Sequence, residues 1–110
     1  MMDTTYKAMV EDASWTMTAR EKLRYTDLTD AIQLDEATQS GDVIIDVDKW
    51  AVINVHNEKS DTVDYMKYVI IDKDEQVYVT GSESFWKSFV QIYEVMSEEG
   101  ETTYSIKVYR

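Results

Sequence analysis

The chain has no cysteine, no proline, three glycines and one histidine among its 110 residues. Without cysteine there is no disulfide, no thiolate metal site and no cysteine nucleophile. The single histidine, His56, excludes multi-histidine metal sites and leaves one imidazole as a candidate general base. Gly41, Gly81 and Gly100 each close a patterned segment, where a turn or helix cap belongs. Gly81 stands alone, so there is no glycine-rich phosphate loop. No apolar run approaches the roughly 18 residues of a membrane span, and Met1-Met2-Asp3-Thr4-Thr5 lacks both the basic and the apolar part of a secretory leader. The expectation is a cytoplasmic protein, not an enzyme, with no membrane association, no cofactor and no metal.

What is present in excess is negative charge. Asp and Glu number 22 against 11 Lys and Arg, a formal net charge of -11. Such a field repels nucleic-acid phosphates and anionic lipid, and it attracts basic surfaces, including the grooves with which other proteins hold DNA or RNA. It also keeps a small protein soluble, and that is the commoner use of surface charge. The acids are not spread evenly: from Thr26 to Asp48 the chain carries Asp27, Asp30, Asp35, Glu36, Asp42, Asp46 and Asp48 and no Lys or Arg. These seven carboxylates are the candidate partner-binding residues, to be met by Arg and Lys of the partner.

An apolar fraction of 44% and an aromatic fraction of 12% are globular values, and the length suits a single domain over residues 1–110. Tyr6, Ala8 and Val10 alternate as in an edge strand. Thr18 with Glu21 three residues on is a capping-box signature, predicting a short helix over 19–25 that bears Arg20, Lys22 and Arg24. Their spacing spreads these cations around the helix, which favours a solvated face over an anion site. Leu28, Ala31 and Ile32 recur at helical spacing and predict a second short helix with Asp27 and Asp30 near its N-terminus.

Val43-Ile44-Ile45 opens a β-rich half. Over 49–56, Trp50, Val52 and Asn54 fall on one side and Ala51, Ile53 and Val55 on the other, the pattern of a central strand covered on both faces. Strands over 65–71 and 76–80 form a hairpin around Asp72-Lys73-Asp74-Glu75, and a last strand covers 102–109. The strongest element is a helix over 83–96, begun by Thr80 or Ser82 as cap. Phe85, Phe89, Ile92 and Met96 form one row, and Trp86, Val90 and Tyr93 an adjoining one. Seven such residues demand a sheet to bury them. The predicted fold is α+β: a mostly antiparallel sheet of four or five strands, the long amphipathic helix across one face, and the short N-terminal helices at an end.

Residues 72–83 place Asp72, Asp74, Gln76, Tyr78, Thr80 and Glu83 at the spacing of a calcium-binding loop, but Val77 stands where that loop needs glycine, and an apolar strand precedes it. The segment reads as an acidic hairpin turn. Asp42, Asp46 and Asp48 lack any pattern that fixes a cation geometry, although Asp46 and Asp48 would share a strand face. His56 with Ser60 and Asp61 nearby is a sequence neighbourhood, not a triad. Strand aromatics Trp50, Tyr65, Tyr68, Tyr78, Tyr104 and Tyr109 beside Lys49, Lys67, Lys107 and Arg110 give the competing function, stacking of single-stranded nucleic acid in a phage replication module. That mode wants an electropositive groove as well as rings.

The run from Tyr68 to Asp74, the run from Tyr78 to Trp86 and the ending Ile106-Lys107-Val108-Tyr109-Arg110 resemble small acidic proteins of phages and mobile elements of Gram-positive bacteria. Anti-CRISPR inhibitors, some of which occupy the DNA-binding surface of Cas9, are among such proteins. The resemblance covers the C-terminal half and carries no functional motif. It implies a setting in the cytoplasm of a bacterial host and, with the charge, an inhibitor that acts as a DNA mimic on the basic nucleic-acid-binding surface of a Cas9-type effector.

Overall fold

The structure, a computed structural model, describes residues 6–59 and 63–109. In chain order the elements are β1 (Tyr6–Ala13), α1 (Ala19–Thr26), β2 (Ile32–Gln33), α2 (Leu34–Ala37), β3 (Val43–Asn57), β4 (Asp64–Asp72), β5 (Val77–Thr80), α3 (Glu83–Glu98) and β6 (Tyr104–Val108). The class is α+β. Among the described residues the sheet is six-stranded and mixed, not the expected mostly antiparallel sheet of four or five strands. The difference comes from residues 32–33. Ile32 and Gln33, read from spacing as helical, pair in parallel with Tyr78 and Val79. The helix there shrinks to the single turn Leu34–Ala37, so Asp27 and Asp30 lie ahead of it and not at its N-terminus; Asp27 instead ends α1.

β3 is the spine. One edge of it pairs with β4; along the other edge β6 takes Val43 to Val47 and β1 takes Ala51 to Asn57, so two strands lie end to end against one. The predicted break between Val43-Ile44-Ile45 and the strand over 49–56 is a register slip in a continuous strand: Val47 pairs with Asp72 and Lys49 with Ile71, leaving Asp48 as the inserted residue. This bulge resets the alternation. Ile45, Val47 and Trp50 therefore face α3, while Ala51, Ile53 and Val55 face α1.

Both faces are packed. On the first, Trp86 and Phe89 of α3 meet Trp50, Ile70, Ile106 and Leu34. Trp50 stands edge-on to Trp86 and to Tyr93, and Tyr68 stacks on Trp86 with centroids 5.0 Å apart. On the second, Tyr25 of α1 and Met17 close over Ala51, Ile53, Val55, Val69, Ile71 and Val79. α1 thus covers the opposite face and does not sit at an end of the sheet. Each large apolar side chain buried here contributes about 1.5–3 kcal/mol, so the two-sided sheet is the main source of stability. The seven-residue helix face expected to be buried is only partly so: Trp86 and Phe89 are buried, and Ile92 stays 39% exposed.

The caps form as their chemistry demands. Thr18 and Glu21 make the reciprocal capping box at α1, and Ser82, not Thr80, caps α3 by accepting the Phe85 N–H. At the other end of α3, the Glu101 N–H reaches the Met96 carbonyl at 2.8 Å and the Gly100 N–H the Ser97 carbonyl at 3.1 Å, with Gly100 at φ 74°. That is a Schellman stop, which only glycine enters without backbone strain. Because open space surrounds the Gly100 Cα, Gly100→Ala is expected to lose only the backbone term, about 1 kcal/mol, in urea unfolding. Phe89→Ala, which empties the middle of the core, should lose about 3–5 kcal/mol in the same measurement.

Candidate functional site

The seven carboxylates do not form one patch; the fold distributes them and then regroups some. Asp27 folds back on its own turn, accepting the Thr29 hydroxyl at 2.6 Å and the Thr29 N–H at 3.3 Å, and these bonds hold its carboxyl below the usual aspartate value. It lines a cleft of about 490 Å³ together with Lys7 and Lys67, so its surroundings are no longer free of basic residues. Asp30 is exposed in the turn that follows. Asp48, the bulge residue, lines a different cleft with Trp15, Tyr93, Tyr104 and Glu101. The bulge also breaks the simple alternation on which Asp46 and Asp48 would have shared a strand face. Glu36 is exposed on α2. Among the described residues, the side chains of Asp30, Glu36 and Asp48 have no hydrogen-bond or ion-pair partner.

Asp35, Asp42 and Asp46 share a neighbour, and it is β6. Asp46 accepts the Ser105 hydroxyl, Asp42 pairs with Lys107 at 3.2 Å, and Asp35 lines a cleft with Val108 and Tyr109. The cause is topological. β3 runs antiparallel to β6, pairing Asp46 with Ser105 and Ile44 with Lys107, and α2 leads into β3 beside the last residues of β6. Asp46 and Asp42 lie on the sheet side away from α3, at the end of the sheet that α1 does not cover; Ile44, on that side, is 60% exposed.

Lys or Arg partners within the described residues are few. Arg24 approaches Glu75 at 4.0 Å, and Lys87 meets Glu83 at 3.3 Å one helical turn away. These pairs are exposed and worth little. Half of the negative charge is left without a cationic counterpart in the chain, a net charge of -11.

The acidic hairpin serves as a turn. The Asp72 carboxylate accepts the Asp74 and Gln76 N–H groups, both at 2.8 Å, and Glu75 takes the left-handed conformation at φ 66°. Among the described residues no group of three or more His, Cys, Asp or Glu is placed to hold a metal ion. The strand aromatics are mostly committed to packing: Trp50, Tyr68, Tyr78 and Tyr104 contribute to the core under α3, and burial raises the Tyr78 and Tyr104 phenols above their ordinary value. Tyr109 is the exposed one, at 69%. The Trp50 indole N–H, enclosed between rings, has no hydrogen-bond partner among the described residues.

His56 lies across from Asp64 at the far end of the β3–β4 hairpin; Ser60, Asp61 and Arg110 are outside the described residues. Its Nδ1 is 2.8 Å from Asp64 and its Nε2 3.4 Å from Glu58. The Asp64 carboxylate first, and Glu58 second, raise its pKa. Two flanking carboxylates favour the protonated form of the imidazole, which suits a hairpin clasp more than a general base.

Comparison with known proteins finds no family model that matches the chain, and no match among curated proteins or solved structures. Among the described residues no helix is long and apolar enough to cross a membrane. What the site offers chemically is acceptor oxygens and negative potential around β6.

The His56 clasp carries a pH dependence whose sign follows from the raised pKa. Its stabilisation is fully present below the ordinary imidazole value of 6.5 and is lost as pH rises through the higher folded value. His56→Gln is therefore expected to be less stable than the parent below the ordinary imidazole value of 6.5, with the difference shrinking as the pH is raised above it in urea unfolding. A difference constant with pH would show that the imidazolium charge is not its source.

Proposed function

We propose that this protein is an acidic interaction protein that inhibits a nucleic-acid-processing enzyme, of the anti-CRISPR kind, by presenting carboxylates where that enzyme expects phosphates. The observation that carries this reading is that Asp42 and Asp46 flank β6 on one side of the sheet and Asp35 lies beside its end on the α3 side, in a protein with twice as many acids as cations. Asp48, Glu36, Asp30 and Asp27 extend the negative field to either side. The partner is the basic nucleic-acid-binding surface of a protein such as a Cas9-type effector, and the setting is the cytoplasm of a bacterial host. The reading needs no catalytic residue, metal or cofactor.

Carboxylates stand in for phosphates because both are planar or tetrahedral oxygen acceptors that arginine meets bidentately. Their field adds long-range steering toward a basic groove, screened over about 8 Å at physiological salt. The alternative, single-stranded nucleic-acid binding through strand aromatics, has less support: Trp50, Tyr68, Tyr78 and Tyr104, four of its six rings, are packed under α3, and the net charge has the wrong sign for phosphate.

Charge reversal of Asp35, Glu36 and Asp42 to Lys together is expected to slow association with a Cas9-type effector by about tenfold or more and to abolish competition with duplex DNA. Parent binding should itself weaken steeply as salt is raised. Unchanged inhibition by the triple variant would sink the reading, and a gel shift of labelled single-stranded DNA by the protein alone would favour the alternative.

A further inference from the structure

The sheet has two edges, and their strands are protected unequally. β2 is only two residues long. β1 carries a register slip at Glu11 and exposes Lys7, Glu11 and Asp12, and both devices deter a stray strand. β6 has neither: its pairing with β3 runs without a slip from Tyr104 to Val108, and Lys107 is its only charged residue. Among the described residues β6 pairs with β3 alone, so its outer side offers backbone N–H and C=O groups to a further strand.

Beside this edge runs a groove of about 500 Å³ between β6 and α3, floored by Phe85, Phe89 and Ile106 and flanked by Ile92 and Tyr109. The helix stripe facing it is Ser84, Ser88 and Ile92, continued one turn on by Val95, which is 51% exposed. It carries no charge in a chain that is 30% charged, and its two serines leave room for a backbone to approach.

We propose that the open edge of β6 receives an extended segment of the basic partner as an added strand, an inference that rests on the acidic-inhibitor reading above. Strand alternation specifies the segment. Tyr104, Ile106 and Val108 face α3, so alternate residues of the added strand enter the groove and are apolar. Ser105 and Lys107 face the other way. A residue opposite Ser105 points toward Asp46 one strand beyond and is a cation, within reach of a long arginine; the position opposite Lys107, already paired with Asp42, takes a neutral residue. The segment therefore reads apolar, cation, apolar, neutral, apolar. Main-chain hydrogen bonds supply affinity, and the groove and Asp46 supply selection. A second copy of this chain meets the requirement poorly, because its net charge of -11 repels its twin.

The test uses the full chain and a fluorescein-labelled nonapeptide centred on Val-Arg-Val-Thr-Val, against a control with the same residues in blocked order. Fluorescence anisotropy should show the alternating peptide binding at least about tenfold more tightly than the control, and amide hydrogen exchange should slow over 104–108 when it binds. Ser88→Arg, at an exposed position, should unfold at the parent's urea midpoint and lose this binding. Equal affinity for both peptides, no binding of either, or indifference to Ser88→Arg overturns the proposal. So does a concentration-dependent dimer in sedimentation that Ser88→Arg dissolves, which makes a second copy the occupant. If Ser88→Arg leaves effector inhibition intact while reversal of Asp35, Glu36 and Asp42 removes it, the strand addition fails and the acidic reading stands.

Discussion

Everything in this fold depends on β3 being buried on both faces while bonded along both edges. A strand in that position must be apolar on alternate residues in both phases, and Val43 to Asn57 meets the demand only because the bulge at Asp48 changes the phase midway. Upstream of the bulge the strand gives Ile45 and Val47 to the α3 side; downstream it gives Trp50 to that side and Ala51, Ile53 and Val55 to the other. Without the slip, one half of the strand would present its apolar set to the wrong layer.

The bulge also explains why Ile44 and Asp46 lie on an open face. Among the described residues the upstream half of β3 is covered by α3 alone, and its reverse side, with Ile44 and Asp46, is exposed. The downstream half is sandwiched and has no acid to offer. Two-sided packing therefore leaves Asp46 as an exposed carboxylate of β3 at the end of the sheet next to β6, and the scaffold and the acidic segment meet on a single strand.

Much of the scaffold was legible in the residues. The capping box at Thr18 and Glu21, the amphipathic rows of α3 and the two-faced pattern of 49–56 are local signals, and each appears where the spacing places it. What escaped was non-local. The parallel pairing of Ile32 and Gln33 with β5 involves two residues, too few to show a period, and Ile32 sits in a spacing that equally fits a helix. The position of α1 on the opposite face depends on tertiary packing of Tyr25, which no periodicity reports. The candidate site was legible as composition only: the density of acids from Asp27 to Asp48 is visible in the chain, whereas the grouping of Asp35, Asp42 and Asp46 exists only once β6 has paired with β3 from the other end of the molecule. The charge-free stripe of Ser84, Ser88 and Ile92 was in plain view as an interruption of an otherwise charged helix surface, a signal that spacing for burial alone passes over.

The pairing of β6 with β3 has a further consequence, in the order of chain ordering. The β3–β4 and β4–β5 contacts are hairpins between neighbours in sequence and close short loops, whereas Val47 finds Tyr104 only by closing a loop that contains β4, β5 and α3. β6 thus closes the longest loop of any strand pair in the sheet, at an entropic cost that grows only slowly with loop length. The acidic end of the molecule is thus completed by the five-residue strand that arrives from farthest along the chain.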